Sequence, residues 1–217
     1  MKILSYSVNT GKENMQIDSD LLEDAIKNQS KEPVFRLYGW SPKCVSLGRN
    51  QRDDFLKDTS IDCVKRLTGG RALLHDDEVT YSFVSPVSVI PNGETVIESY
   101  KYISGILIDF FKTLGVELEY GENKKVSTHF DYCMLLSTGA DVCYKGKKII
   151  GSAQFRKEGY LLQHGSILFG YDKEFLESLF NEEVHGITTV KEILPDINKD
   201  DFIKRLENYC INYSFPE

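Results

Sequence analysis

Two short glycine-bearing turns, Lys145-Gly146 and Lys157-Glu158-Gly159, constrain the fold of this chain more than any other feature. A connection of two or three residues joins only antiparallel neighbours, because a parallel pair needs a crossover of about a dozen residues or more. The flanking runs therefore predict a three-stranded meander over 140–144, 147–156 and 160–169. Upstream, 34–40 and 44–48 read as a hairpin around Ser41-Pro42-Lys43, with further strands over 61–67, 71–75 and 79–84. A helix is predicted over 18–27 with Asp18-Ser19-Asp20 as its cap. The longest helix is predicted over 94–114, where Val96, Tyr100, Ile103, Leu107 and Phe110 recur at helical spacing. Amphipathic faces at Phe175-Leu176-Leu179 and Phe202-Ile203-Leu206-Tyr209 make the tail helical. Strand groups separated by helices predict an α+β fold with mixed or antiparallel sheets flanked by helices, not a doubly wound parallel sheet.

The 217 residues carry no repeat or low-complexity stretch, so a single domain over 1–217 is expected. No apolar run approaches the ~20 residues that span a bilayer, and Met1–Val8 lacks the pattern of a secretory leader. A cytoplasmic, monomeric protein without membrane contact is the expectation. Cysteines 44, 63, 133, 143 and 210 form no C-x-x-C pair, which points away from a disulfide framework or a zinc knuckle. The four histidines stand apart, and no metal is expected. A net charge of −7 argues against a nucleic-acid binder. Yet between Lys124 and Lys157 seven basic residues (Lys124, Lys125, Lys145, Lys147, Lys148, Arg156, Lys157) face only Asp131 and Asp141. That stretch suits an acidic partner or an anionic substrate group, or is simply a solvated hairpin.

The chemistry concentrates in two stretches. In the first, Arg66-Leu-Thr-Gly-Gly-Arg-Ala-Leu-Leu-His75, the paired Gly69 and Gly70 permit close backbone approach, and Arg66 and Arg71 offer charge-assisted donors to a phosphate or carboxylate. It is not a Walker loop, and Gly69-Gly70 read alone is more readily only a tight turn. Alternation along the following strand puts Thr80, Ser82 and Val84 on one face and Tyr81 and Phe83 on the other. In the second, Lys147–Gln154, Lys148, Ile150, Ser152 and Gln154 are predicted to share a face while Gly151 and Ala153 leave room on the other; His164, Gly165 and Ser166 lie on the next strand. A lysine at the start of a strand is ordinarily solvent-facing.

Taken together, the blocks 66–75, Thr80-Tyr-Ser82, Lys148-Ile-Ile-Gly-Ser-Ala-Gln154 and His164-Gly-Ser166 resemble the signature of the biotin/lipoate protein ligase and octanoyltransferase superfamily over nearly the whole chain. The resemblance implies that Arg66, Gly69, Gly70, Arg71, His75, Thr80, Ser82, Gly151, Ser152, Ala153, His164, Gly165 and Ser166 line the substrate site, with Lys148 touching the acyl carbonyl. Thr-Gly-Gly-Arg-Ala-x-Leu-His looks most like the cysteine-dependent octanoyltransferases, and the roughly fifty residues after the last block leave little room for the extra domain usual in ATP-using lipoate ligases. Those transferases carry a nucleophilic cysteine fifteen residues before the motif lysine, the position of Cys133, although Ser127–Ser137 departs from their usual Cys-Phe-Asp. The resemblance further implies octanoyl-acyl carrier protein as donor and a lipoyl domain or glycine-cleavage H-type protein as acceptor, both acidic, with no ATP.

The chemistry is consistent with that expectation. A free thiol is only a few per cent thiolate at neutral pH, and a neighbouring ammonium such as Lys148 raises that fraction. Exchange of thioesters is nearly balanced in free energy, and aminolysis by a lysine runs downhill. His75 or His164 is a candidate to take the amine's proton, while Lys148 and a backbone N–H near Gly151 or Cys133 are candidates to stabilise the oxyanion. His129, Asp131 and Cys133 lie too near one another in sequence to read as an ordinary triad. Three readings compete: an ATP-dependent lipoate ligase, an amidotransferase moving octanoyl between lipoyl proteins, and an acyl-binding protein without catalysis.

Overall fold

The structure is a computed structural model, and it describes residues 1–56, 60–121, 132–135 and 141–214. In chain order the strands are β1 (Lys2–Asn9), β2 (Val34–Trp40), β3 (Cys44–Leu47), β4 (Asp62–Lys65), β5 (Leu73–His75), β6 (Glu78–Pro86), β7 (Glu119–Tyr120), β8 (Val142–Tyr144), β9 (Lys147–Lys157) and β10 (Tyr160–Leu168). The helices are α1 (Gly11–Lys27), α2 (Val96–Thr113), α3 (Lys173–Phe180), α4 (Val190–Ile193) and α5 (Lys199–Ile211). A seven-stranded mixed sheet runs β1-β2-β6-β10-β9-β8-β7, and a three-stranded sheet runs β4-β3-β5. The expected α+β architecture with helix-flanked sheets is present.

The meander forms as the turns require. Lys145 and Gly146 have φ of 49° and 75°, and Glu158 and Gly159 have 49° and 79°. Both central residues of each turn are therefore left-handed, the conformation that matches the twist of a two-residue hairpin. Residue 140, the expected start of the first strand, lies outside the described residues.

Two expectations are corrected, and one element is added. The run 34–48 is not a hairpin: β2 pairs antiparallel with β6 in the large sheet, while β3 pairs with β4 and β5 in the small one. The chain changes layer at Ser41-Pro42-Lys43, where both strands find longer-range partners that bury them almost throughout. Helix α1 begins at Gly11, seven residues early, because Thr10 and Glu13 form a reciprocal capping box. Asp18 is thus a buried mid-helix residue, not a cap. The N-terminal strand β1, which was not predicted, is an edge strand parallel to β2.

One face of the large sheet carries the main core, where Phe35, Tyr81, Phe83, Ile150 and Ile167 meet Ile103, Leu107, Phe110 and Phe111 of α2 and Phe202 and Leu206 of α5. Against the other face, α1 packs Leu22 and Ala25 onto Val84 and Leu162. The small sheet joins α3 in a further cluster containing Ala72, Leu74, Tyr132, Met134, Leu176 and Phe180. Thr80 and Ser82 lie opposite Tyr81 and Phe83 as predicted, and it is Tyr81 and Phe83 that face the main core.

Candidate active site

Between the large and small sheets lies a small cavity lined by residues of both. Of the residues expected to bind substrate, Arg66, His75, Thr80, Gly151, Ser152, Ala153, His164, Gly165 and Ser166 line it, and so does Cys133. Met15, Tyr38, Trp40, Ser46 and Leu73 complete the lining without having been foreseen. The floor is a row across paired strands, Gly151 opposite Ser166 and Ser166 opposite Thr80.

Lys148 is not solvent-facing. It is 2% exposed, donates to the Cys133 carbonyl oxygen at 3.1 Å and pairs with Asp141 Oδ1 at 3.0 Å. Nor does it share a face with Ile150 and Ser152. Val142 pairs with Ile150 but Cys143 pairs with Lys148, so Ile149 is an extra residue that breaks the alternation. The bulge turns Lys148 onto the face of Gly151, whose missing side chain leaves space for it: a Cβ there would stand 3.0 Å from Lys148 Cε. Burial pushes the Lys148 pKa down, but the facing Cys133 and Asp141 outweigh it and hold the ammonium above its ordinary value.

Cys133 opens a single 3₁₀ turn, Cys133–Leu135, and is half-buried. Its N–H donates to Ala72 O at 2.8 Å, and Tyr132 bridges Ala72 and stacks on Phe180 with centroids 4.7 Å apart. The cysteine is therefore pinned between the glycine loop and α3. His129, Asp131 and the other neighbours of Cys133 at 122–131 and 136–140 lie outside the described residues. Cys44, Cys143 and Cys210 are buried, with burial pushing Cys44 and Cys210 up to about 12, while Cys63 on β4 is exposed.

The two arginines of the glycine loop have different fates. Arg66 spends its donors on the protein: Nε on Thr68 Oγ1, Nη1 on Ser46 O and Oγ, Nη2 on Gly69 O and Arg71 O, at 2.7–3.2 Å. It shapes the loop and does not offer a free fork to substrate, contrary to expectation. Arg71 keeps Nη1 buried without a hydrogen-bond partner among the described residues, which leaves a donor for an anionic group. Gly70 has φ +96°, and its carbonyl packs where a Cβ on Gly48 would stand, so the close approach is of backbone to backbone. Gly69 and Gly70 bound the site without lining the cavity.

Both candidate bases are already engaged. His75 Nδ1 lies 2.7 Å from Glu78 Oε1 and Nε2 2.8 Å from Ser46 Oγ, and its ring stacks on Trp40 at 3.7 Å. Burial lowers the His75 pKa, against the pull of Glu78, which keeps the imidazole neutral at pH 7. His164 bridges Thr68 Oγ1 at 2.7 Å and Asp18 Oδ2 at 3.1 Å. Asp18 also takes Arg36 at 3.0 Å and the Tyr38 hydroxyl at 2.9 Å, and Ser82 is buried beside it. Although burial raises the Asp18 pKa, His164 and Arg36 outweigh it and leave it lowered. Asp18, Arg36, Ser46, Glu78 and Asp141 were missed as site residues. For Asp18 a usable signal existed, since recognising the Thr10-x-x-Glu13 box moves it inside the helix.

Residues 10–211 match the model of the lipoyl protein ligase A/B catalytic domain. The chain belongs to this family. Over 173 residues it is 41% identical to the octanoyltransferase LipM of Carboxydothermus hydrogenoformans, covering 77% of this chain and 64% of that protein. To the LipM of Macrococcus caseolyticus it is 37% identical over 182 residues, covering 77% and 65%. The chain thus spans a little under two thirds of the length of these two relatives. Its fold is similar to that of Ta0514, a putative lipoate protein ligase from T. acidophilum, with a TM-score of 0.75 at 20% identity over 96% of this chain and 82% of that one. Among the described residues of this family member, no group of three or more His, Cys, Asp or Glu side chains is placed to hold a metal, and no helix is long and apolar enough to cross a membrane.

Proposed function

We propose that this chain is an octanoyltransferase of lipoate biosynthesis that works through a thioester on Cys133. The observation that carries the reading is the meeting of Cys133 with the buried Lys148 ammonium at the wall of the cavity. The names of the LipM relatives, at 35–41% identity, support it.

The donor is octanoyl-acyl carrier protein. The Cys133 thiolate adds to its thioester carbonyl, and the tetrahedral oxyanion collapses by expelling the carrier's thiolate, which takes up a proton. The unprotonated ε-amine of a lysine on a lipoyl domain or H-type protein then adds to the acyl-cysteine. Collapse breaks the C–S bond, leaves an amide and returns the thiol. Lys148, held charged by Asp141, supplies positive charge beside each oxyanion without reorganising, an effect of about 3–4 kcal/mol for one well-placed donor. His75 and His164, each bonded at both nitrogens, act by fixing Ser46, Glu78, Thr68 and Asp18 around the chain-binding space. In this reading the protein works in the cytoplasm as a monomer, without ATP or a metal.

The test is to incubate wild type and Cys133→Ser with octanoyl-acyl carrier protein in the absence of ATP and record intact mass and peptide maps. One octanoyl group on the Cys133 peptide of wild type, released to a lipoyl domain, is the expected result. Modification of the lipoyl domain only when free acid and ATP are supplied would make the protein a ligase. Acylation of Cys133 from an octanoylated lipoyl protein, but not from the carrier, would make it an amidotransferase.

A further inference from the structure

The basic stretch between Lys124 and Lys157 does not form one surface in the described part of the fold. Lys148 is buried, and Arg156 is bound to the carbonyls of Gly93, Glu94 and Thr95 at the start of α2. Lys147 and Lys157 stand at opposite ends of an eleven-residue strand, about 30 Å apart. A different cationic group is assembled by the fold. Arg49, Lys65 and Lys157 rim a cleft whose apolar floor is Leu67 and Phe155, with Arg49 lying 5.5 Å over the Phe155 ring. Lys157 is paired with Glu23, whereas Arg49 and Lys65 are exposed and make no ion pair with a described residue. Arg66 lines both this cleft and the inner cavity, so one side chain is the partition between them.

We propose that this cleft docks the acyl donor, an acidic carrier protein whose carboxylates face Arg49 and Lys65 while its thioester arm crosses Leu67 and Phe155 toward Cys133. The inference rests on the transferase reading above. Reach selects the donor over the acceptor. Phe155, Ala153 and Gly151 point to the same side of β9, and Ala153 and Gly151 line the cavity with Cys133. From Phe155 to Gly151 is four residues, about 13 Å of strand. A lysine side chain, with five bonds from Cα to Nζ at about 1.2 Å of extension each, spans about 6 Å and falls short from a partner seated on the rim. A longer flexible arm spans the gap, and the small Ala153 keeps the strand face low beside it. Cations on an otherwise acidic molecule also give the encounter its direction, because like-charged faces elsewhere repel the same partner.

The test compares wild type with the Arg49→Glu/Lys65→Glu double variant, following acylation of Cys133 by intact mass with octanoyl-acyl carrier protein and with octanoyl-pantetheine. The proposal expects the ratio of kcat/KM for the carrier to that for the small thioester to fall about tenfold or more in the variant, and in wild type to fall as salt is raised. An unchanged ratio overturns it. So does an unchanged ratio accompanied by slower transfer from the acylated enzyme to a lipoyl domain, which would give the cleft to the acceptor. Absence of an adduct on wild type with both donors overturns the transferase reading and this proposal with it. Adducts on wild type leave that reading standing whatever the ratio does.

Discussion

Lys148 unites charge, burial and position in one side chain. With both partners nearly inaccessible, Lys148→Met would take the ammonium away from the buried Asp141 carboxylate, at a cost of about 3–5 kcal/mol. Urea denaturation reads that loss, and single-turnover acylation of Cys133 should slow by about 10²–10³ fold as the fixed positive charge disappears. His75 sets a pH dependence of stability. Its folded pKa lies below the 6.5 of the unfolded chain, so the unfolded state takes up the proton first. The stabilisation is present above about pH 6.5 and is lost as pH falls through the folded value. Urea midpoints taken at pH 7.5 and 5.0 should fall in wild type, and His75→Gln should flatten that part of the slope. Neither residue's setting could be read from local pattern. Lys148 looked like a strand-edge lysine because simple alternation contains no bulge, and the family resemblance pointed to it where periodicity did not. Its partner Asp141, only seven residues away, carried no separate signal.

At the scale of elements, what was legible followed from short-range chemistry. The β8–β9–β10 meander was written in its turn residues, and α2 in its apolar spacing. The pairing of β2 and β3 was not, because their partners lie far along the chain and a three-residue link with proline looks the same whether it closes a hairpin or passes between layers. Glycines separate by the same logic. A Cβ on Gly165 would stand 2.5 Å from Ser152 Oγ and 2.7 Å from both the Gly151 carbonyl and the Tyr81 ring. Gly165→Ala should therefore cost about 1–3 kcal/mol. A Cβ on Gly69 meets nothing within 4 Å, and Gly69→Ala should stay within about 0.5 kcal/mol. Thermal melts of the pair, run side by side, distinguish a glycine required for packing from one that is not.

For the whole molecule, the sequence disclosed the fold class and most of the cavity lining, since the blocks that resemble the family are the strands that face each other across it. The second layer of polar support, Asp18–Arg36 beneath His164 and Glu78 behind His75, was hidden because its members come from α1, β2 and β6, brought together only by the stacking of two sheets and a helix. Arg66 ties β3 to the glycine loop through five hydrogen bonds from one guanidinium. Bonds that share a donor group are hard to break one at a time, so the loop should open as a unit or not at all. Limited proteolysis should then find the 66–71 segment closed in wild type, and Arg66→Lys, which keeps the charge but loses the fork, should speed cleavage there.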